Sequence, residues 1–155
     1  MHLRLCFLTA ILFLSFRPAL AIGNPGSDEP KNYKVYEESI YKDYSLERVI
    51  DGDTFVASGQ IIRIWGVDAP EKDELYYKES TKALELILKG AMLRCKFIEL
   101  DTYHRSVMHC LVSGADLGGI LVKSGWAKDF PKYSASFYKV DETFALDNKL
   151  GIWNK

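Results

Sequence analysis

Four acidic residues lie in two short segments whose residue types and spacing suit the chemistry of a hard metal ion. Asp51 and Asp53 are two positions apart, and Asp68 and Glu71 follow an apolar run. Residues two apart in an extended chain point to one side, so the two pairs can converge if neighbouring strands carry them. Converging carboxylates repel one another, and Ca²⁺ or Mg²⁺ bound by oxygen ligands offsets that repulsion. The alternative is a set of solvated turn residues, because Asp and Gly favour turns.

Arg63 stands in an otherwise apolar segment, 61–65, where a guanidinium group requires an anionic partner. That partner is either a carboxylate, from Asp53 or Asp68, or a bound phosphate held through two parallel hydrogen bonds. Arg105 is a second candidate for phosphate binding, although an arginine in a turn is usually only solvated. A cation, two arginines and a carboxylate that deprotonates water are the components of a phosphodiesterase.

The elements that would carry these residues follow from hydrophobic periodicity and turn residues. Strands are predicted at 46–50, 54–57, 61–67, 92–100 and 107–112, and helices at 74–89, 117–123 and from a Ser134 cap to about 150. Five short strands with an inserted helix predict an α+β chain, mainly β, built as a five-stranded OB-fold barrel with three α-helices. If the first and third strands flank the second, both acidic segments meet at one rim of the barrel.

The first 21 residues predict a secretory signal peptide. Arg4 precedes a long apolar run, Pro18 breaks it, and residues 19–21 fit a signal peptidase site. An uncleaved membrane anchor is the alternative, although the run is short for a bilayer span.

The rest of the chain divides into an arm and one domain. Residues 22–44 are predicted to be a flexible lead-in or N-terminal arm, because the start of this segment is rich in Gly and Pro. Within it, residues 33–44 form either an extra strand or an ordered arm. Residues 45–155 are predicted to be the single folded domain, since a second core would be too small.

Charge and cysteine content narrow the functional class. Loss of the signal peptide removes Arg4 and Arg17 from the 20 basic residues, which leaves 18 against 21 acidic residues and a net charge of −3. This balance argues against a protein that coats nucleic acid by charge alone, but permits an enzyme whose positive charge is local. Of the three cysteines, Cys6 leaves with the signal peptide, and the two that remain in an exported chain predict a disulfide between Cys95 and Cys110, with two buried thiols as the alternative.

Several segments, taken in order, resemble the signature segments of the staphylococcal nuclease (thermonuclease) family. They are residues 49–54, 63–71, 101–105, 121–127 and 151–153. A lone Asp-Gly-Asp-Thr is a weak signal, whereas all the segments in order and with sensible gaps are a specific one. The resemblance implies the five-stranded OB barrel with three helices.

A metal centre is implied by the same resemblance. Ca²⁺, with Mg²⁺ as the second choice, is expected at the side chains of Asp53 and Asp68 and at the backbone carbonyl of Ala69. Asp51 is expected to lie close by and to act through water. Glu71 matches the proposed general base of the family.

The resemblance also implies a substrate site. Arg63 and Arg105 match the arginines that bind phosphate and stabilise the transition state, Tyr103 matches a residue near the terminal phosphate, and Tyr133 matches one near a base. The family hydrolyses DNA and RNA with little sequence preference and releases the 5′-oxygen.

Two departures from the family pattern bear on this site. His104 stands where the family usually has Gly, so a left-handed turn there is less comfortable and the placement of Arg105 is in question. His104 itself is either a phosphate contact or an exposed turn residue. Pro131 lies where an aromatic ring often contacts the nucleobase, which leaves base stacking to Tyr133 and Phe130.

The combined prediction is an exported, periplasmic or secreted, Ca²⁺-dependent nuclease of low specificity that acts on DNA, RNA or both. We expect a monomer without a stable membrane partner after signal cleavage. Two other classes stay open: a non-catalytic nucleic-acid- or protein-binding module, and an accessory protein of envelope polysaccharide assembly. The presence of Arg63, Glu71 and Arg105 counts against the first, and the acidic net charge favours the second.

Overall fold

The computed structural model describes residues 40–154 of the chain. The predicted signal peptide and residues 22–39 of the predicted arm lie outside the described residues. Within the described range, no helix is long and apolar enough to cross a membrane.

The described residues form nine strands and four α-helices. The strands are β1 Lys42–Tyr44, β2 Leu46–Val49, β3 Thr54–Ala57, β4 Gln60–Ile64, β5 Val67–Asp68, β6 Leu93–Leu100, β7 Ser106–Val112, β8 Ala115–Asp116 and β9 Lys128–Asp129. The helices are α1 Tyr77–Leu88, α2 Leu117–Lys123, α3 Pro131–Ser134 and α4 Lys139–Asp147, followed by a 3-10 helix, Gly151–Trp153.

Seven strands form one curled sheet, in the order β1-β6-β7-β4-β3-β2, with β8 paired to β7. A separate two-stranded sheet joins β5 to β9. The predicted α+β class and OB-type sheet are confirmed, and β2, β3, β4, β6 and β7 are the five predicted strands. β3 lies between β2 and β4, as the convergence of the acidic segments at one rim requires.

The predicted strand at 61–67 is in fact two strands that meet at a sharp turn. β4 ends at Ile64, Gly66 adopts a left-handed backbone with φ +73°, and β5 begins at Val67. A side chain at position 66 would also press on Ser134, whose Cβ lies 3.0 Å from the ideal Cβ position. The turn redirects the chain so that Asp68 leaves the main sheet and pairs with β9.

The single predicted helix from Ser134 to about residue 150 is wrong. Helix α3 ends at Ser134, and Ala135 and Ser136 adopt left-handed φ angles of +49° and +66°. The Ser134 hydroxyl does not cap a following helix, because it donates to a carboxylate oxygen of Asp129 at 2.5 Å. The break lets Tyr138 enter the core, where it is 1% exposed.

The disulfide predicted between Cys95 and Cys110 is formed. The two residues are directly paired in register on β6 and β7, with Cα atoms 4.1 Å apart, and both are buried. Strand β1 pairs with β6 beside this bridge, so Lys42–Tyr44 is the extra strand that was one of the two alternatives for the arm.

Candidate active site

The turn between β2 and β3 fixes both of the first two acidic residues. The backbone N–H of Asp53 donates to a carboxylate oxygen of Asp51 at 3.1 Å, which closes a tight Asx turn. Gly52, between them, packs closely on β5, since a Cβ there would lie 2.7 Å from the Cβ of Ala69 and would overlap Ser80. Only glycine lets the acidic turn approach the end of β5 this closely.

Asp53 is a buried carboxylate with several hydrogen-bond partners. It is 3% exposed. Its Oδ2 accepts from the backbone N–H of Ala69 at 3.0 Å, and its Oδ1 accepts from the Thr54 hydroxyl at 3.0 Å. The same Oδ1 forms a close ion pair with Arg63. These bonds stabilise a charge that would be costly to bury alone.

Arg63 faces the acidic residues, so the carboxylate partners predicted for it are present. It pairs with Asp53, lies 3.7 Å from an Oδ1 of Asp68, and donates to the carbonyl of Val67 at 3.2 Å. Burial lowers the pKa of Arg63, and the nearby charge of Arg105 lowers it further. The carboxylates of Asp68, Asp51 and Glu71 act on the pKa of Arg63 in the opposite direction, so all four predicted acidic residues lie within electrostatic range of this guanidinium group.

Arg105 is held by the turn that precedes it. The carboxylate of Asp101 accepts from the Arg105 backbone N–H at 2.9 Å and from its Nε at 2.6 Å. His104 has φ +62°, so the left-handed turn predicted at this position is present. The Tyr103 ring lies 5.5 Å from the guanidinium carbon of Arg105, a cation–π distance. The Nη1 of Arg105 also points to the Thr54 hydroxyl at 3.4 Å.

Both arginines line one open cleft of about 310 Å³. Its walls carry Arg63, Arg105, Asp101, Tyr103, Phe130 and Tyr133, among others. Tyr103 is 80% exposed, and Tyr133 packs edge-to-face against Phe130 with ring centroids 4.9 Å apart. Two guanidinium groups and three aromatic rings therefore face the same space, a combination suited to phosphate and a flat ring.

Glu71 lies in an exposed loop after β5 and is not among the residues that line the cleft. Its backbone N–H donates to the Glu74 carboxylate at 3.0 Å. Its charge raises the pKa of Arg63, so Glu71 lies within electrostatic range of that guanidinium group.

The apolar residues on either side of His109 predict a structural role for it. His109 is buried, and its ring nitrogens lie 2.9 Å from the Tyr41 hydroxyl and 3.3 Å from a carboxylate oxygen of Asp116.

The acidic side of the site has the donor chemistry of a hard cation. The donors are carboxylate and carbonyl oxygens only, which suits Ca²⁺ or Mg²⁺ rather than a soft metal. The guanidinium of Arg63 lies within ion-pair distance of both Asp53 and Asp68, so one positive charge fits between these carboxylates. Among residues 40–154, no three His, Cys, Asp or Glu side chains already stand together as a preformed metal site.

Two residues at the site, Thr54 and Asp101, are missing from the sequence prediction. Both belong to the segments that carry the resemblance, but neither has a role assigned by it. The position of Asp101 at the start of the turn is a signal for its role, because an Asp side chain there accepts from backbone N–H groups that follow it. The link from Thr54 to Arg105 spans 51 positions, so no local pattern could have indicated it.

Comparisons with known proteins identify the family. A family model described as Staphylococcal nuclease homologue matches residues 61–155. Succinoglycan biosynthesis protein ExoI of Rhizobium meliloti (strain 1021) is 34% identical over 117 residues, which are 68% of this chain and 61% of that protein. An uncharacterized endonuclease of Escherichia coli is 26% identical over 113 residues, 69% of this chain and 74% of that protein. Endonuclease YncB of Bacillus subtilis (strain 168) is 27% identical over 129 residues, 72% of this chain and 61% of that protein.

The chain thus spans less than two thirds of ExoI and of YncB. The family model covers most of the sheet from β4 onward, together with Arg63, Glu71 and Arg105. This chain belongs to the staphylococcal nuclease homologue family.

Proposed function

We propose that this chain is an exported, metal-dependent nuclease that hydrolyses phosphodiester bonds of DNA, RNA or both with little sequence specificity. One observation carries the proposal: Arg63 and Arg105 line the same cleft, and the carboxylates of Asp53 and Asp68 stand behind Arg63. Relatives named endonucleases support the same class of reaction.

The metal in this proposal is Ca²⁺, with Mg²⁺ as the second choice. Asp53, Asp68 and the backbone carbonyl of Ala69 would hold it, and Asp51 would act through water. The cation, when bound, neutralises charge on the phosphate and on the oxygen that attacks it. Family membership supports metal dependence, and the oxygen donors support a hard ion.

The two arginines are the proposed catalytic cations of the chain itself. In-line displacement at phosphorus builds negative charge on the non-bridging oxygens, and two fixed guanidinium groups stabilise that charge. Arg63 is paired with Asp53 and Asp68, so phosphate binding requires it to exchange a carboxylate partner for a phosphate oxygen. Arg105 lines the cleft with its Nε held by Asp101 and its Nη1 3.4 Å from the Thr54 hydroxyl.

Glu71 is the proposed general base, because it is a carboxylate in a solvent-exposed loop within electrostatic range of Arg63. Tyr103 and Tyr133 are the proposed substrate-binding residues. Tyr103 lies beside Arg105 and would contact a terminal phosphate, while Tyr133, with Phe130, would contact a base.

The test is cleavage of single-stranded DNA and of RNA by the purified protein lacking residues 1–21, with Ca²⁺, with Mg²⁺ and with chelator. We expect cleavage only with metal. Glu71→Gln and Arg63→Ala should each lower kcat by several orders of magnitude, roughly 10³-fold or more, since each removes a transition-state interaction.

Matched controls are Glu79→Gln on α1 and Arg48→Ala on β2, two exposed residues away from the cleft. Both should retain the rate of the parent. Cleavage in chelator, or full rates for both site variants, would refute the proposed mechanism.

Export is a further part of the proposal. The N-terminal apolar run supports it, and so does the Cys95–Cys110 disulfide, which suits an oxidising periplasmic or extracellular compartment. Expression of the full chain should yield a mature protein that begins at Ile22, by N-terminal sequencing. Intact Met1 on the exported protein would instead favour the membrane anchor. A monomer is proposed for the mature protein, testable by light scattering.

A role in envelope polysaccharide assembly is the second candidate, because ExoI carries a succinoglycan biosynthesis name. This candidate predicts binding to an acidic polysaccharide and no cleavage of nucleic acid. A non-catalytic binding module predicts nucleic-acid binding by fluorescence anisotropy without cleavage in any metal. The cleavage assay separates the nuclease from the other two candidates, and the two binding measurements separate those candidates from each other.

A further inference from the structure

We propose that Thr54 is a positioning residue that couples Arg105 to the carboxylate of Asp53. The inference rests on the proposed nuclease function and adds a residue to which neither the family resemblance nor the comparisons give a role. A single buried hydroxyl connects the Asp53 carboxylate to Arg105, which lines the cleft.

The position of Thr54 in the sheet explains why it can make this link. It is the first residue of β3, it directly follows Asp53, and it is paired in register with Arg63 on β4. Its side chain is almost fully buried, at 2% exposure for the residue. One residue is thus the covalent neighbour of Asp53 and the cross-strand neighbour of Arg63.

The hydrogen bonds of the Thr54 hydroxyl have a defined direction. The hydroxyl has one proton, which it donates to Oδ1 of Asp53 at 3.0 Å. Its lone pairs are then available to accept from the Nη1 of Arg105 at 3.4 Å. A carboxylate could accept from Arg105 too, but it would add a charge to the cleft. A hydroxyl positions the guanidinium group without adding a second carboxylate to the one that Asp101 already supplies.

Arg105 is consequently fixed at two points. Asp101 holds its Nε at 2.6 Å, and Thr54 holds one of its terminal nitrogens. The first contact fixes where the side chain leaves the turn, and the second fixes the rotation of the guanidinium plane within the cleft. Loss of the hydroxyl also removes one of the donors to Asp53, so the carboxylate loses part of its orientation.

The test compares Thr54→Val with Thr54→Ser. Valine keeps the shape and the β-branch of threonine but cannot hydrogen-bond, whereas serine keeps the hydroxyl. We expect Thr54→Val to lower kcat roughly 10- to 100-fold with KM changed less, and to weaken Ca²⁺ binding in isothermal titration calorimetry by a similar factor. Thr54→Ser should recover most of both. Thr81→Val on α1, whose hydroxyl donates to the Tyr77 carbonyl, is the control for loss of a threonine hydroxyl elsewhere.

A double-mutant cycle separates positioning from general stability. If Thr54 acts through Arg105, Thr54→Val should cost far less kcat in an Arg105→Ala background than in the parent. Equal losses in both backgrounds, or a Thr54→Ser variant as slow as Thr54→Val, would overturn the inference. A parent protein that cuts no nucleic acid with any metal would refute the proposed function itself. An active parent with an unaffected Thr54→Val variant would refute only the role of Thr54.

Discussion

At the scale of single residues, Asp101 shows how one carboxylate builds a functional turn. It accepts from the backbone N–H of Tyr103 and of Arg105, and from the Arg105 side chain. Burial on its own raises the pKa of Asp101, but the hydrogen bonds from Arg105 and Tyr103 and the charge of Arg105 together lower it below its ordinary value. The ionised form is therefore the one that the folded protein stabilises.

Asp101→Asn keeps the shape of the side chain and removes its charge. Because the folded-state pKa of Asp101 is lowered, its stabilising effect is present above the unfolded value of 3.8 and is lost as the pH falls through the folded value. We expect the variant to be less stable at pH 7 by about 1–2 kcal/mol, from weakened charge-assisted hydrogen bonds. Urea unfolding of both proteins from pH 7 down to pH 3 would measure this. A stability difference that does not shrink toward acid pH would contradict the assignment.

His104 occupies a left-handed conformation that glycine adopts without strain. At φ +62°, a residue with a Cβ costs about 1 kcal/mol or more. His104→Gly should therefore stabilise the protein by up to about 1 kcal/mol, offset in part by the greater freedom of glycine in the unfolded chain. Thermal unfolding measures the gain, and cleavage rates show whether Arg105 is better placed.

The matched control is Thr102→Gly in the same turn. Thr102 is not among the positive-φ residues of the described range, so glycine there should destabilise by roughly 0.5–1 kcal/mol. The two substitutions should thus have opposite signs. A loss of stability in both would mean that the backbone at His104 is not strained.

Residue types and spacing predicted which residues gather at this site, but not which contacts they make. The apolar surroundings of Arg63 required an anionic partner, and two partners from the chain itself satisfy that requirement. The choice between carboxylate and phosphate depended on where the turn at Gly66 directs Asp68, which strand periodicity does not reveal. The Thr54–Arg105 contact depends on the pairing of distant strands, so a local sequence pattern could not predict it either.

At the scale of elements, the strands were easier to predict than the last helices. Short apolar runs bounded by tight turns define β3, β4 and the β6–β7 pair, and β3 and most of β7 are buried at consecutive positions. The segment after Ser134 has helix-forming residues throughout, yet Phe137 and Tyr138 pack against Trp65 at ring distances of 5.6 and 5.9 Å. That tertiary packing breaks the helix where local propensity would continue it.

The β6–β7 pair is the element whose stability we expect to depend on the disulfide. The bridge joins strands that carry, at their far end, the turn with Asp101 and Arg105. Replacing both Cys95 and Cys110 with serine should lower the free energy of unfolding by about 3 kcal/mol, the value for a loop of this length. Burial of two serine hydroxyls should lower it further. Denaturant unfolding would measure the change.

A reductant distinguishes the disulfide from packing effects. Dithiothreitol should lower the Tm of the parent and leave that of the Cys95→Ser, Cys110→Ser double variant unchanged. If the Tm of the parent does not change although thiol titration after unfolding shows full reduction, a stabilising role for the bridge is excluded.

At the scale of the whole molecule, no large positive surface is expected. The chain after residue 21 has a net charge of −3, and the charged residues that line the cleft balance, with Arg63 and Arg105 against Glu99 and Asp101. Charge-driven attraction to nucleic acid must then come from the few cations at the cleft and from a bound metal, not from the surface as a whole. Affinity should depend on a small number of phosphate contacts.

This distribution predicts a shallow salt dependence. Each phosphate neutralised on a single strand contributes a slope of about −0.7 in a plot of log affinity against log salt, so two arginines should give roughly −1.4. Binding of a short fluorescent single-stranded DNA to the Glu71→Gln variant, at constant Ca²⁺, would provide the slope by anisotropy. Arg105→Ala in that background should reduce it by about 0.7, whereas Lys123→Ala, on α2 away from the cleft, should not change it. A slope near −4 would require an extended basic surface and would contradict binding confined to the cleft.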